Sequence, residues 1–122
     1  MSILASILTA IVAIEHLYIL WIEMFAWETA GKKVFKGALP DVLFSATKGL
    51  AANQGLYNGF LAAGIIWSFF IENTAWSFNI RVFFLSCVII AALYGAFTSS
   101  HSILYKQGAP AIFALIAVLV FN

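Results

Sequence analysis

Charge is the scarcest commodity in this chain. Only 9% of its 122 residues are Asp, Glu, Lys or Arg, whereas 64% are apolar. Soluble domains carry about 25% charged residues. So little polarity cannot coat a globular surface, which excludes an ordinary soluble domain. A net charge of +1 provides no basic stripe for nucleic acid, and no such partner is expected. The single cysteine, Cys87, rules out an internal disulfide, a C-x-x-C redox pair and a multi-cysteine zinc site. Strict period-two alternation is missing, which argues against barrel strands. Also absent are a G-x-S-x-G elbow, a phosphate-binding glycine loop and a Ser/His/Asp set.

What the chain does have is long apolar runs. Four are visible, at about residues 3–27, 44–71, 78–98 and 103–121. Each is near the roughly 17–25 residues that a spanning helix needs. The expected fold is all-α: an integral membrane four-helix transmembrane bundle, a single domain over residues 1–122. The first run is read as retained rather than cleaved. It lacks a basic leading segment, exceeds a signal core in length, and carries Glu15 at its centre.

The connectors are polar. Lys32, Lys33, Lys36, Lys48 and Lys106 fall in or beside the first and third, and only Arg81 falls on the other side. Lysine excess marks cytoplasmic loops. A multi-pass cell-membrane protein with both termini outside is therefore predicted, with the lipid bilayer as its first partner. Trp21, Trp27 and Trp76 lie at interfacial positions, where indoles anchor. Pro110 is harmless if the fourth helix starts near Ala109 and kinks it otherwise.

Small residues recur four apart in Gly55-x-x-x-Gly59 and in Ala91-x-x-x-Gly95-x-x-x-Ser99. Such spacing lets membrane helices approach closely. Packing inside the bundle is one reading. A homo-oligomer through Gly55 and Gly59 is the sharper alternative.

The most informative polar feature is Glu15-His16, set in the middle of the first span. A charged side chain at mid-bilayer costs roughly 2.5–3.5 kcal/mol on insertion scales and usually faces the bundle interior. On a helical projection Glu15, His16 and Glu23 fall within about 100° of arc, and Asn53, Gln54, Tyr57 and Asn58 within about 140°. Cys87, Tyr94 and Thr98 share a face of the third span. At a rise of about 1.5 Å per residue, Glu23 lies about 12 Å from Glu15 toward the cytoplasm. Asn53 and Gln54 are expected at the level of Glu23, and Asn58 at that of Glu15 and His16. Tyr94 and Thr98 fall in the same cytoplasmic half, with His101 at its mouth.

The candidate ligand- or proton-binding residues are thus Glu15, His16, Glu23, Asn53, Gln54, Tyr57, Asn58 and Tyr94. They either tie the bundle together or line a polar cavity. Their density favours the cavity, because interhelical polar contacts average under about 1 kcal/mol each. A metal is not expected. Adjacent Glu15 and His16 point apart, and the E-x-x-H spacing of di-iron bundles is absent. No cofactor is expected, and Cys87 reads as a small packing residue.

Three stretches carry a resemblance. They are Glu15-His-Leu-Tyr18 with Glu23-Met-Phe-Ala-Trp27 and Phe35, then Leu50-Ala-Ala-Asn-Gln-Gly-Leu-Tyr-Asn-Gly-Phe-Leu-Ala-Ala-Gly64, then Tyr94-Gly-Ala with Gln107-Gly-x-Pro110. Together they resemble the small bacterial four-span membrane proteins of domain-of-unknown-function family 1304, over essentially the whole chain. The resemblance implies an architecture and suggests that these polar residues are its signature; it implies no activity. A glutamate in the first of four helices also looks like the small multidrug resistance exporters, which couple proton release to cation export. The rest of their pattern is absent, so that likeness is an analogy.

Three functions compete. The first is a small-solute-binding or proton-linked, transporter-like protein in which Glu15 or Glu23 binds a proton or cation. The second is a membrane enzyme acting on a lipid or isoprenoid, with Glu23 and His16 as acid and base. The third is a non-catalytic subunit of a larger membrane complex. The residues favour a non-enzyme with a small-molecule or lipid ligand.

Overall fold

Ser2 starts the first helix. Its Oγ accepts the Ala5 N–H at 3.1 Å, the bond of an N-cap. In the computed structural model, which describes residues 1–98 and 104–121, helix α1 then runs Ile3–Phe25. Ala5, Thr9, Val12, His16, Ile19 and Glu23 are buried along one stripe at three- and four-residue steps. The opposite stripe, including Ile3, Ile7, Ile14 and Phe25, is apolar and exposed. The helix stops just short of the expected boundary at Trp27, because Ala26 leaves helical geometry at φ −138°.

The connector read as a polar loop is instead folded. It holds α2 (Ala30–Val34) and α3 (Leu43–Ala46). Trp27 pins them. Its ring lies 5.6 Å from that of Phe35 and 4.8 Å from that of the fully buried Phe44. Its Nε1–H donates to Thr47 Oγ1 at 3.0 Å. Between the two helices Gly37 takes φ +90°, a conformation that costs glycine little. It lets residues 35–39 fold back on themselves.

Helix α4 runs Lys48–Phe70, separated from α3 by non-helical Thr47. The second run, expected to be continuous from residue 44, is therefore broken. Helix α5 runs Thr74–Thr98 and begins before its expected start at 78. Asn73 explains this: its Oδ1 accepts the Trp76 N–H at 3.0 Å and its carbonyl accepts the Ser77 N–H at 2.9 Å. A π turn, Leu104–Gly108, leads into α6 (Ala109–Phe121). Pro110 falls in the first turn of α6. Its ring would crowd the carbonyl of Lys106, four residues back, and Lys106 lies in that wider π turn.

Four long helices close a ring. α1 packs on α4 and α6, α4 on α5, and α5 on α6. Ala5, Val12, Ile65, Leu85, Val88, Ala114 and Val118 fill the centre. The fold is all-α, with no strand among the described residues. Gly55 and Gly59 face α1. A Cβ on Gly55 would stand 2.8 Å from Met24 Cγ and 3.3 Å from the Leu20 carbonyl oxygen. The face considered for a second copy is thus taken by α1 of the same chain.

Among the described residues, only α1 and α5 are long and apolar enough to cross a membrane by length and composition. Lys48, Asn53, Gln54 and Asn58 dilute α4, and α6 has only 13 residues. The most apolar windows of α1 and α5 are 33% and 22% buried. A soluble protein's core helix would hide most of such a window.

Candidate functional site

Antiparallel α1 and α4 bring Glu23 against Asn58. The small residue at position 55 of α4 makes this possible: Gly55 lets the backbones close until its missing Cβ would be 3.0 Å from Glu23 Cβ. At that distance the Asn58 amide donates to Glu23 Oε1 at 2.6 Å. Glu23 is 4% exposed, so its carboxyl lies inside the protein, with Asn58 half-buried beside it.

A cavity of about 430 Å³ opens beside this pair. Glu23, Gln54, Asn58 and Gln107 supply its polar wall; Trp27, Phe35 and Tyr57 supply aromatic faces. Leu39 and Leu61 complete the apolar part, and Ala91 and Gly95 bring α5 to the wall with little bulk. Tyr57 is 59% exposed, so the cavity reaches the surface at that edge.

Glu15 faces a second cavity of about 220 Å³, with Tyr18, Ile19, Val34, Lys106 and Gln107. Its Oε1 is buried and has no hydrogen-bond partner among the described residues. Phe35 and Gln107 line both cavities, so the two carboxyl sites share a wall.

The remaining candidates separate from this group. His16 is 1% exposed and donates from Nδ1 to the Val12 carbonyl at 2.9 Å; it lines neither cavity. Asn53 is exposed and lines neither. Tyr94 is 71% exposed and also stands outside both. The expected depth of the amides differs from the observed one. Asn58, not Asn53, meets Glu23, because the connector folds into α2 and α3 and α4 begins only at Lys48. That delay slides α4 by more than a turn along α1 relative to the expected register. His101 and Ser99 lie outside the described residues.

Sequence reasoning named Tyr57 but missed Trp27 and Phe35 of the aromatic wall, and Gln107. Trp27 was read as an interfacial anchor, yet it closes the cavity end. Phe35, Ala38 and Leu39 sat in a connector judged by its lysines. The signal was there: an apolar Val34-Phe35 and Ala38-Leu39 pair in a lysine-rich loop has something to cover. No group of three or more His, Cys, Asp or Glu close enough to hold a metal is present among the described residues.

The geometry defines a class: an all-helical bundle with two membrane-length apolar helices and a buried carboxyl facing an aromatic-lined cavity. The chain belongs to the family described as "Protein of unknown function (DUF1304)", whose model matches residues 10–119. It is similar to "Uncharacterized protein YpaA" of Lactococcus lactis subsp. lactis (strain IL1403). The two are 36% identical over 118 residues, 96% of this chain and 98% of that relative. No solved structure matches the chain.

Proposed function

We propose that this protein is a membrane-embedded, four-span bundle that binds a small organic ammonium ion in the Glu23 cavity, as a transporter-like binding protein. The observation that carries the reading is the cavity itself. A buried carboxyl held by Asn58 shares about 430 Å³ with the rings of Trp27, Phe35 and Tyr57. Small-ligand sites run from roughly 300 to 1,000 Å³, mostly apolar with a few placed polar groups. A carboxyl supplies charge, and aromatic faces attract cations within about 6 Å. Gln54 and Gln107 offer amide oxygens to ammonium N–H groups.

Embedding is supported by the outer surface. Large apolar side chains are exposed on all four long helices, among them Ile14 on α1, Phe60 on α4, Phe83 on α5 and Phe113 on α6. A soluble monomer rarely shows so much contiguous apolar surface. In the bilayer α4 spans because Gln54 and Asn58 face the cavity, and α6 is lengthened by the π turn. Lys48 stands within 3.8 Å of Glu28, and Lys106 Nζ within 3.4 Å of the Val34 carbonyl. Both contacts draw lysines to the end that holds the connector, and that excess supports a cytoplasmic connector end with both termini outside.

Glu15 adds the transport-like feature. Its unpartnered Oε1 faces a cavity that meets the first at Phe35 and Gln107. A cation passing that wall would exchange one carboxyl for the other. Calorimetry with benzylammonium on the full chain in lipid nanodiscs tests the binding. Heat of binding for the natural chain, lost in Glu23→Gln and kept in Asp41→Asn, an exposed carboxylate that lines neither cavity, supports the reading; equal heats in all three contradict it.

A further inference from the structure

Arg81 sits at the opposite end of the bundle and is only 3% exposed. A buried guanidinium normally keeps a carboxylate close. This one has none: the ion pair present among the described residues is Lys48–Glu28, at the other end. Arg81 is instead held by neutral groups. Its Nη2 donates to Ser77 Oγ at 3.1 Å and to the Ser68 carbonyl at 3.5 Å. Ser77 Oγ donates in turn to that same carbonyl at 2.6 Å. The guanidinium carbon lies 5.2 Å from the centroid of the Phe69 ring. These contacts fix the plane of the group and leave its charge unanswered. The buried Nε has no hydrogen-bond partner among the described residues.

Arg81 nevertheless lines a cavity, of about 300 Å³, with Ser6, Phe69, Glu72, Thr74 and Ser77. Glu72 is exposed in the turn between α4 and α5 and makes no ion pair with Arg81. The cavity therefore presents a fixed cation at depth and a free carboxylate at its rim. Phe69 belongs also to a second, almost wholly apolar groove of about 290 Å³, bounded by Ala13, Ile14 and Leu17 of α1 and by Ile66 and Phe70 of α4. The polar pocket at the helix ends thus shares its Phe69 wall with an apolar trough between α1 and α4.

We infer that this is a phospholipid site for an ethanolamine headgroup. The phosphate takes the Arg81 Nε and Nη hydrogens, the fork geometry that guanidinium and phosphate share. The ammonium reaches Glu72 at the rim. An acyl chain lies in the trough between α1 and α4. The pocket alone would accept any phosphoethanolamine group, soluble or lipid; the trough selects the lipid. The lipid form rests on the membrane placement proposed above, while the headgroup chemistry does not.

The full chain, exchanged into mixed micelles holding equal amounts of phosphatidylethanolamine, phosphatidylglycerol and phosphatidylcholine, is examined by native mass spectrometry. The natural chain retains the ethanolamine lipid about tenfold over the other two, the gain of one charge-assisted contact. Glu72→Gln, in an exposed turn, removes that preference but still retains phospholipid. Arg81→Gln lowers retention of all three by about tenfold or more. Ile66→Trp blocks the trough and lowers lipid retention, while leaving binding of water-soluble phosphoethanolamine unchanged. Equal retention of the three lipids by the natural chain overturns the headgroup assignment, whether or not Arg81→Gln folds. Soluble phosphoethanolamine binding as tightly as the lipid overturns the lipid source and leaves the headgroup pocket. Neither outcome touches the Glu23 cavity, which benzylammonium reads separately.

Discussion

The Glu23–Asn58 contact can be measured as a coupling energy. The bond is short, 2.6 Å, and Glu23 is 4% exposed, so water competes little for it. Interhelical side-chain hydrogen bonds in membrane proteins average about 0.6 kcal/mol and reach about 1.7. A carboxyl acceptor with little access to water belongs toward the upper end, and charge-assisted bonds are roughly twice as strong as neutral ones. A coupling of about 1–2 kcal/mol follows. The cycle uses Glu23→Met, Asn58→Leu and the double variant; methionine removes the acceptor, leucine removes the donor, and both keep approximate volume. Unfolding free energies come from steric trapping in bicelles, which reports equilibrium stability without leaving the lipid phase. Asn58→Leu alone should cost about 1–3 kcal/mol, since it leaves a buried acceptor unsatisfied. The double variant should cost less than the sum of the singles. A coupling below about 0.3 kcal/mol would mean that the two side chains meet without holding each other, and the pre-formed cavity wall would lose its basis.

Other outcomes follow from the same geometry. Gly55→Ala should destabilise the bundle by about 1–3 kcal/mol, because the new methyl meets Glu23 Cβ and the Leu20 carbonyl oxygen; thermal unfolding in detergent checks this. Gly49→Ala, with open space around the added methyl, is the matched control and should be neutral or stabilising. Asn73→Ala removes the cap of α5 and should cost about 0.5–2 kcal/mol in the same assay, whereas Asn73→Ser should recover most of it. Thr47→Val removes the acceptor of the Trp27 indole and should cost about 1 kcal/mol; hydrogen exchange should rise in residues 35–46 if that bond anchors the connector.

Much of this fold could be read from residues alone, and the failures have identifiable causes. Helix α1 was legible because its apolar run is long and its buried stripe repeats at helical spacing. Its end was not, since Ala26 and Trp27 carry no breaker; the chain turns because the Trp27 indole gains Thr47, Phe35 and Phe44, contacts distant in sequence. The start of α5 could have been found from Asn73 as a cap, three residues ahead of Trp76. The break at Thr47 could not, because threonine is tolerated inside helices and the local pattern around it is continuous. Glu23 was legible as an inward-facing residue from its arc beside Glu15. Its partner was misjudged as Asn53 or Gln54, because a helical projection gives angle well but gives depth only if the connector length along the axis is known. The folded α2 and α3 changed that length. His16 looked chemically available and is in fact spent on the Val12 carbonyl, a bond within its own helix that no spacing argument distinguishes from a free imidazole.

The reading of the Glu23 cavity as an ammonium site is tested most directly by a distance. Solid-state NMR on the full chain in lipid bilayers, with ¹³C-labelled glutamate and ¹⁵N-benzylammonium, measures carbon–nitrogen dipolar contact to the Glu23 carboxyl. The account predicts a contact consistent with an ion pair, with nitrogen within about 4 Å of a carboxyl oxygen. The signal should vanish in Glu23→Gln and persist in Asp41→Asn. Bound ¹⁵N signal without dipolar contact to Glu23, or contact unchanged in Glu23→Gln, would contradict it.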